Sequence, residues 1–137
     1  MPFSGQLEDR ELIRELIADY CDAVNQRDEV AWGATWAEDA VWSLPFLGID
    51  GITGKANIVA AWCQGMALFS FVHMMAQAGS VRIDGDRALV RCYTSEVTVA
   101  ADSGVERRPC GRYDDVCVKL DGGWLFLSRT FTLLHGA

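Results

Sequence analysis

The sequence predicts an α+β domain in which helices pack on one face of a strongly curved antiparallel sheet. Three observations lead there. Apolar residues recur at three- and four-residue steps early in the chain, the pattern of an amphipathic helix. The second half consists of Val-, Thr- and aromatic-rich runs separated by Asp/Gly turns. Helical segments come first, interrupted by a single strand, so the order does not alternate regularly as in a parallel-sheet protein.

The elements follow in order. From Leu7 to Arg27, Ile13, Leu16, Ile17, Tyr20 and Val24 share one face, and Glu8, Glu11, Arg14, Glu15 and Asp19 share the other. A second, short helix is expected over Glu29–Ala37. Ala40–Phe46 is apolar and interrupted near its end by Pro45, which reads as a strand. LGIDGITGK holds three glycines and reads as a loop. Lys55–Met66 presents Ile58, Val59 and Trp62 on one side of a third helix. Phe71–Ile83 is a strand, bulged near Gly79. Asp84, Gly85 and Asp86 form a turn into a strand over Ala88–Ala100. A polar connection, Ala101–Pro109, leads to a strand over Gly111–Leu120. Asp121, Gly122 and Gly123 turn into the last strand, Trp124–Leu134. A bent sheet capped by helices encloses a cone, which is either filled by side chains or open as a ligand pocket.

The chain of 137 residues is 50% hydrophobic, which suits one domain with a full core. Its formal charge is −7, from 19 acidic and 12 basic residues. This balance and the lack of a basic stripe argue against binding nucleic acid or an anionic membrane surface. The longest uncharged stretch, Ala56–Val81, is broken by Asn57, Gln64, His73 and Gln77, so it is not a membrane span. MPFSGQLEDRE lacks the basic start and apolar run of a signal peptide, and a cytoplasmic location is expected. The five cysteines are odd in number and form no Cys-x-x-Cys pair. They read as reduced thiols, and no zinc site is expected.

Three segments carry a family resemblance: DRELIRELIADYCDAVNQRDEVAWGATWAEDAVW (Asp9–Trp42), VRIDGDRALVRCY (Val81–Tyr93) and GRYDDVCVKLDGGWLFLSRTF (Gly111–Phe131). In order and spacing they resemble the SnoaL-like branch of the NTF2-like superfamily. The resemblance is closest to scytalone dehydratase, bile-acid dehydratase and hexachlorocyclohexane dehydrochlorinase. It implies a cone enclosing a pocket and cofactor-independent chemistry, in which a His–Asp dyad removes a proton as a leaving group departs. The family's His matches His73. The dyad Asp falls at Asn25, a departure from the pattern. Tyr20 and Arg129 match further polar positions of the family site. The carboxylate base of a ketosteroid isomerase has no counterpart, since that position aligns with Leu44.

Each residue type suits its implied role. Imidazole titrates near neutrality, so His73 would serve as general base. The alternative is a hydrogen-bonded core histidine. Asn25 would orient the ring but supplies no opposing charge. The Tyr20 hydroxyl would donate to a developing oxyanion, and Arg129 would hold a substrate anion or pair with an acid such as Glu96. Trp42, Trp62, Phe71, Met75, Tyr93 and Tyr113, with Phe69 and Met74, are candidate walls for a flat apolar ligand. Asp114 and Asp115 are neighbours on a strand and should face opposite ways. Arg107 and Arg108 read as a solvated pair.

Three functions remain open. The first is a lyase or isomerase acting on a small apolar cyclic substrate. The second is a small-molecule binding protein of the same fold, which Asn25 favours. The third is a structural partner resembling a dioxygenase small subunit. A homodimer formed through the sheet face is expected from the resemblance.

Overall fold

A computed structural model describes residues 1–136. The elements are β1 (Phe3–Ser4), α1 (Leu7–Gln26), α2 (Glu29–Gly33), β2 (Trp36–Leu44), β3 (Ile49–Thr53), α3 (Lys55–Met66), β4 (Phe69–Asp84), β5 (Arg87–Ala100), β6 (Glu106–Arg107), β7 (Cys110–Leu120) and β8 (Gly123–His135). A single 3₁₀ turn, Pro45–Leu47, joins β2 to β3.

The helix α1 forms where the periodicity places it, and Ile13, Leu16, Ile17, Tyr20 and Val24 are all buried. Glu8 and Asp9 occupy its first turn, where negative charge meets the positive end of the helix dipole. It ends at Arg27, which adopts the left-handed conformation with φ 55°, and the following N–H of Asp28 bonds to the Ala23 carbonyl at 2.9 Å. Asp28 then caps α2 by accepting the Ala31 N–H at 3.0 Å. The second helix is shorter than its predicted reach to Ala37, and β2 starts at Trp36 rather than Ala40. Tertiary pairing decides this boundary: the Thr35 carbonyl accepts the Phe126 N–H of β8 at 2.9 Å and draws the chain into the sheet.

The sheet runs β1-β4-β5-β7-β8-β2-β3, with the short β6 paired to β5. It is curved, as expected, and unclosed, but mixed rather than purely antiparallel. β2 runs parallel to β8, and β1 runs parallel to β4. Parallel neighbours need long crossovers, and in both pairs helical and strand segments intervene in the chain. β3 forms where the glycines predicted a loop. Its Ile52 and Thr53 pair with Trp42 and Val41 of β2, and Gly51 takes a positive φ of 102°.

The cone enclosed by the helices and the sheet is filled with aromatic rings. Trp32, Trp36 and Phe126 are fully buried, and Tyr20, Trp42, Trp62, Tyr113 and Phe131 join them. Trp32 stacks on Trp62 with 4.6 Å between ring centroids and meets Trp36 and Trp42 edge-on. Such offset and edge contacts add to the area the rings bury. Gly111 is required by close approach: a β-carbon there would collide with the Phe131 ring.

Strand parity then assigns faces. On the inner face, Met74 lies opposite Glu96, Ala76 opposite Thr94, and Ala78 opposite Cys92. On the outer face, His73 lies opposite Val97, Met75 opposite Ser95, and Gln77 opposite Tyr93. Phe71, Met75, Leu89 and Tyr93 are large apolar side chains exposed on that outer face. Among the described residues, no helix is long and apolar enough to cross a membrane.

Candidate functional site

The polar residues that the sheet directs inward meet around Arg129. Asp115 of β7 and Arg129 of β8 are directly opposite in register. The guanidinium grips the carboxylate side-on, with Nε to Oδ1 at 2.7 Å and Nη2 to Oδ2 at 3.1 Å. Both side chains are at most 1% exposed. Three rings enclose the cation: Tyr113 at 3.8 Å, Phe126 at 4.0 Å and Tyr20 at 4.5 Å from the guanidinium carbon. Cation–π contacts strengthen when desolvated in this way. The carboxylate beside it holds Arg129 above its ordinary range despite burial, so the guanidinium stays charged.

The two phenols stay neutral. Burial, reinforced by the neighbouring Tyr113, pushes Tyr20 well above the usual phenol range. Burial also raises Tyr113, against the pull of Arg129. The Tyr113 oxygen accepts the Trp42 indole N–H at 3.1 Å, which leaves its own hydrogen available. Among the described residues, Arg129 Nη1 has no hydrogen-bond partner though buried, and the same holds for Trp32 Nε1, Trp36 Nε1 and Thr94 Oγ1. The Cys92 thiol lies beside the guanidinium, but sulfur is a weak acceptor. Native interiors leave few such groups unpaired, so four in one cone mark a place suited to an acceptor.

Glu96 completes the cluster. It sits on the inner face between the buried Thr94 and Thr98. Burial alone pushes its carboxyl up to about 7. Its carboxyl oxygens have no hydrogen-bond or ion-pair partner among the described residues, while its charge acts on Tyr20, Cys21 and Tyr113. Burial pushes the Cys21 thiol up to about 12 and also raises Cys92 and Cys117, so these three are neutral thiols without nucleophilic character. Among the described residues no three His, Cys, Asp or Glu side chains are grouped to hold a metal ion.

The sequence-predicted residues divide between the two faces. Tyr20, Arg129, Trp42, Trp62 and Tyr113 all lie inside the cone. His73 does not: it is exposed on the outer face, one residue out of phase with the buried Met74. The expectation of an imidazole base in the cone is corrected accordingly. Asn25 also bonds elsewhere. Its Nδ2 donates to the Met74 carbonyl at 3.0 Å, and its Oδ1 accepts the Met74 N–H at 2.7 Å. The amide thus behaves as one more strand residue, pairing with the free edge of β4. An aspartate could accept from that N–H but would have no donor for the carbonyl. Phe71, Met75 and Tyr93, expected as pocket walls, are 48%, 59% and 47% exposed on the outer face.

Arg129 pairs with Asp115 rather than Glu96. The neighbouring aspartates split as expected: Asp115 turns inward, and Asp114 turns outward to Arg112 at 3.1 Å. Arg107 and Arg108 are exposed, and Arg108 bonds to Glu106. The reading missed Asp115 as the partner and Glu96 as an isolated carboxyl. Strand alternation was the available signal, because Cys92, Thr94 and Glu96 share one phase of β5.

Cavities open at the surface among the described residues. One of about 410 Å³ lies between α1 and β4, lined by Phe3, Arg14, Ile17, Ala18, Ala76, Gln77 and Ala78. Another, about 320 Å³, is lined by Arg27, Glu29, Trp62, Cys63, Met66 and Ala67. Neither is lined by Arg129; the expected cone pocket is occupied by side chains.

Comparison with known proteins agrees with this architecture. Residues 5–130 match the SnoaL-like domain family. An uncharacterized protein of Mycobacterium tuberculosis is 30% identical over 131 residues, covering 93% of this chain and 87% of that protein. A Novosphingobium aromaticivorans protein provisionally named a scytalone dehydratase superposes with a TM-score of 0.86 at 19% identity, over 96% of this chain and 87% of that one. A second from that organism, provisionally named an aromatic ring hydroxylase, gives 0.83 at 27% identity, over 98% and 96%. A hexachlorocyclohexane dehydrochlorinase of Novosphingobium barchaimii gives 0.80 at 16% identity, over 96% and 90%. With its mixed, curved sheet, its capping helices and a family match spanning nearly its whole length, the chain belongs to the SnoaL-like family and has the NTF2-like α+β cone fold.

Proposed function

We propose that the protein is a cofactor-independent lyase or isomerase that stabilises an oxyanion of a small apolar cyclic substrate inside the cone. The observation that carries this reading is the buried, unpartnered Nη1 of Arg129, flanked by two neutral tyrosines. A charged donor held in a dry, aromatic setting stabilises an enolate or phenolate oxygen far better than water does. The Tyr113 hydroxyl is a further donor to the same oxygen, and Tyr20, hydrogen-bonded to Tyr113, holds it in place. The cone is filled by side chains, so a substrate must displace some of them to enter, and the surface cavity over Ala76 and Ala78 adjoins it through their cross-strand partners Thr94 and Cys92, which are buried in the cone.

The test uses β-tetralone, a bicyclic ketone with exchangeable α-hydrogens, and β-naphthol, a planar mimic of its enol. In deuterated water the protein should accelerate α-hydrogen exchange of β-tetralone, followed by NMR. Tyr20→Phe should weaken β-naphthol binding about tenfold, equivalent to about 1.4 kcal/mol. Binding without any exchange would reject catalysis and leave the second reading, a small-molecule binding protein. That alternative is favoured by the position of His73 outside the cone. Neither binding nor exchange would reject both.

We also propose that the outer sheet face, with Phe71, Met75, Leu89 and Tyr93 exposed, joins two copies into a homodimer. Large apolar side chains exposed on one sheet face are a feature of interfaces. Light scattering at micromolar concentration should give twice the chain mass of 15.1 kDa. A stable monomer, or assembly only with a different chain, would overturn the homodimer.

A further inference from the structure

We propose that Glu96 is the catalytic base and acid of the cone, the residue that moves the substrate proton while Arg129 and the tyrosines hold the oxyanion. This rests on the lyase or isomerase reading above and assigns its proton-transfer group.

The geometry singles Glu96 out. It is an inward-facing carboxyl with no hydrogen bond or ion pair among the described residues, whereas the other inward carboxyl, Asp115, is committed to Arg129 at both oxygens. Its cross-strand partner is Met74, only 3% exposed, so an apolar side chain rather than a charge lies beside it. The Met74 backbone is in turn clamped to the end of α1 by Asn25. That clamp sets the distance between β4 and the helix bearing Tyr20. Asn25 is therefore a positioning residue for the neighbourhood of Glu96. The Glu96 backbone is fixed from the other side, its N–H donating to the Pro109 carbonyl at 3.0 Å. The imidazole that would otherwise do this work, His73, points away on the outer face.

In the reaction, the Glu96 carboxylate takes a hydrogen as a proton from the carbon next to the substrate carbonyl. The C–H electron pair moves into the enolate, whose oxygen faces Arg129 Nη1 and the Tyr113 hydroxyl. The protonated Glu96 then returns the proton. Given to another carbon, it completes an isomerisation. Given to a departing β-hydroxyl, which leaves with its bonding pair, it releases water and closes the elimination.

Burial alone holds the Glu96 carboxyl near neutrality, the range in which one group serves in both directions. The titratable and charged groups whose charges couple to this cluster are Tyr20 and Cys21 from α1, Cys92 on its own strand, Tyr113, Asp115 and Cys117 from β7, and Arg129 from β8. The phenols and thiols are raised far above neutrality, and the Arg129–Asp115 pair is locked together. Glu96 is thus the group in the cluster whose titration falls near pH 7.

The decisive comparison is α-hydrogen exchange of β-tetralone by the wild-type chain, Glu96→Gln, Glu96→Asp and Tyr20→Phe, with β-naphthol binding measured on each. Wild-type exchange should rise with pH through an inflection near pH 7. Glu96→Gln should abolish that inflection and lower the rate by about a hundredfold or more while still binding β-naphthol, since a positioned base contributes on that scale. Glu96→Asp should retain part of the rate. If Glu96→Gln keeps the wild-type rate and Tyr20→Phe loses it, Glu96 is not the base, and the oxyanion site stands without it. If the wild-type chain shows no exchange, the lyase or isomerase reading falls, and the role of Glu96 falls with it.

Discussion

Replacing Asp115 with Asn should destabilise the protein by about 3–5 kcal/mol, the largest loss expected from any single polar substitution here. The change keeps the shape of the side chain and removes its charge. Arg129, at 1% exposure, would then be a buried cation with no counterion. The three rings around it soften that cost but cannot replace two charge-assisted bonds at 2.7 and 3.1 Å. Removing both partners should cost less than removing one. Asp115→Leu with Arg129→Met leaves no unpaired charge, and apolar replacements of buried ion pairs are often nearly neutral. Urea denaturation of the two single variants and the double variant closes the cycle. A single-variant loss below about 1 kcal/mol would mean that water screens the pair, in contradiction to its burial. The comparison also bears on function, because a pair that stabilised the fold strongly through Asp115 alone would still leave Arg129 Nη1 free for an oxyanion.

Replacing Glu96 with Gln should do the opposite and stabilise the protein, but only at neutral and alkaline pH. Burial pushes the carboxyl up to about 7 in the folded chain, from about 4.5 for an exposed glutamate. Between these values the folded state holds the proton more tightly than the unfolded state. Stability contributed at this site is therefore fully present below about pH 4.5 and declines as pH rises through about 7. At about 1.4 kcal/mol per unit of difference, the decline amounts to about 3 kcal/mol at most. Glutamine does not titrate, so the variant loses this slope. Its melting temperature should exceed that of the wild type at pH 8 and match it at pH 4.5. Asp9 acts in the other direction, since its bonds to Trp124 and Lys119 hold its carboxyl below the usual range and its contribution is lost in acid. That slope is common to both proteins and cancels in the comparison. Equal stability at pH 8 would show that Glu96 is hydrated and would remove the reason for its near-neutral titration. A residue that weakens the fold at the pH where it would work is what a functional site predicts.

The helical face of α1 could be read directly. Ile13, Leu16, Ile17, Tyr20 and Val24 are periodic in the chain and buried in the fold, because helix geometry ties sequence spacing to direction. The opposite orientations of Asp114 and Asp115 follow from the same kind of rule in a strand, as does the inward set Cys92, Thr94 and Glu96. β3 was hidden by its glycines, since Gly51 and Gly54 look like loop residues until β2 supplies the partner that makes Ile49–Thr53 a strand. The parallel pairings of β2 with β8 and of β1 with β4 join segments far apart in the chain, and no local pattern announces them.

The face taken by His73 shows where local reading ends. Strand β4 is apolar along most of its length, with Phe71, Val72, Met74, Met75, Ala76 and Ala78 offering hydrophobic residues in both phases. A period of two cannot orient such a run, and a shift of one residue exchanges its faces. The phase is decided by what β4 packs against: Asn25 grips the Met74 backbone, and Met74 turns into the cone opposite Glu96. Composition, periodicity and motif order by themselves determined an α+β fold of this family, its first helix, and the presence of Tyr20, Arg129, Trp42 and Tyr113 in the interior. Tertiary structure alone decided that Asp115 neutralises Arg129, that His73 faces outward, and that Glu96 turns inward with no partner among the described residues. Each of these depends on register between strands distant in sequence, which is fixed by packing across the cone and not by the residues on either side.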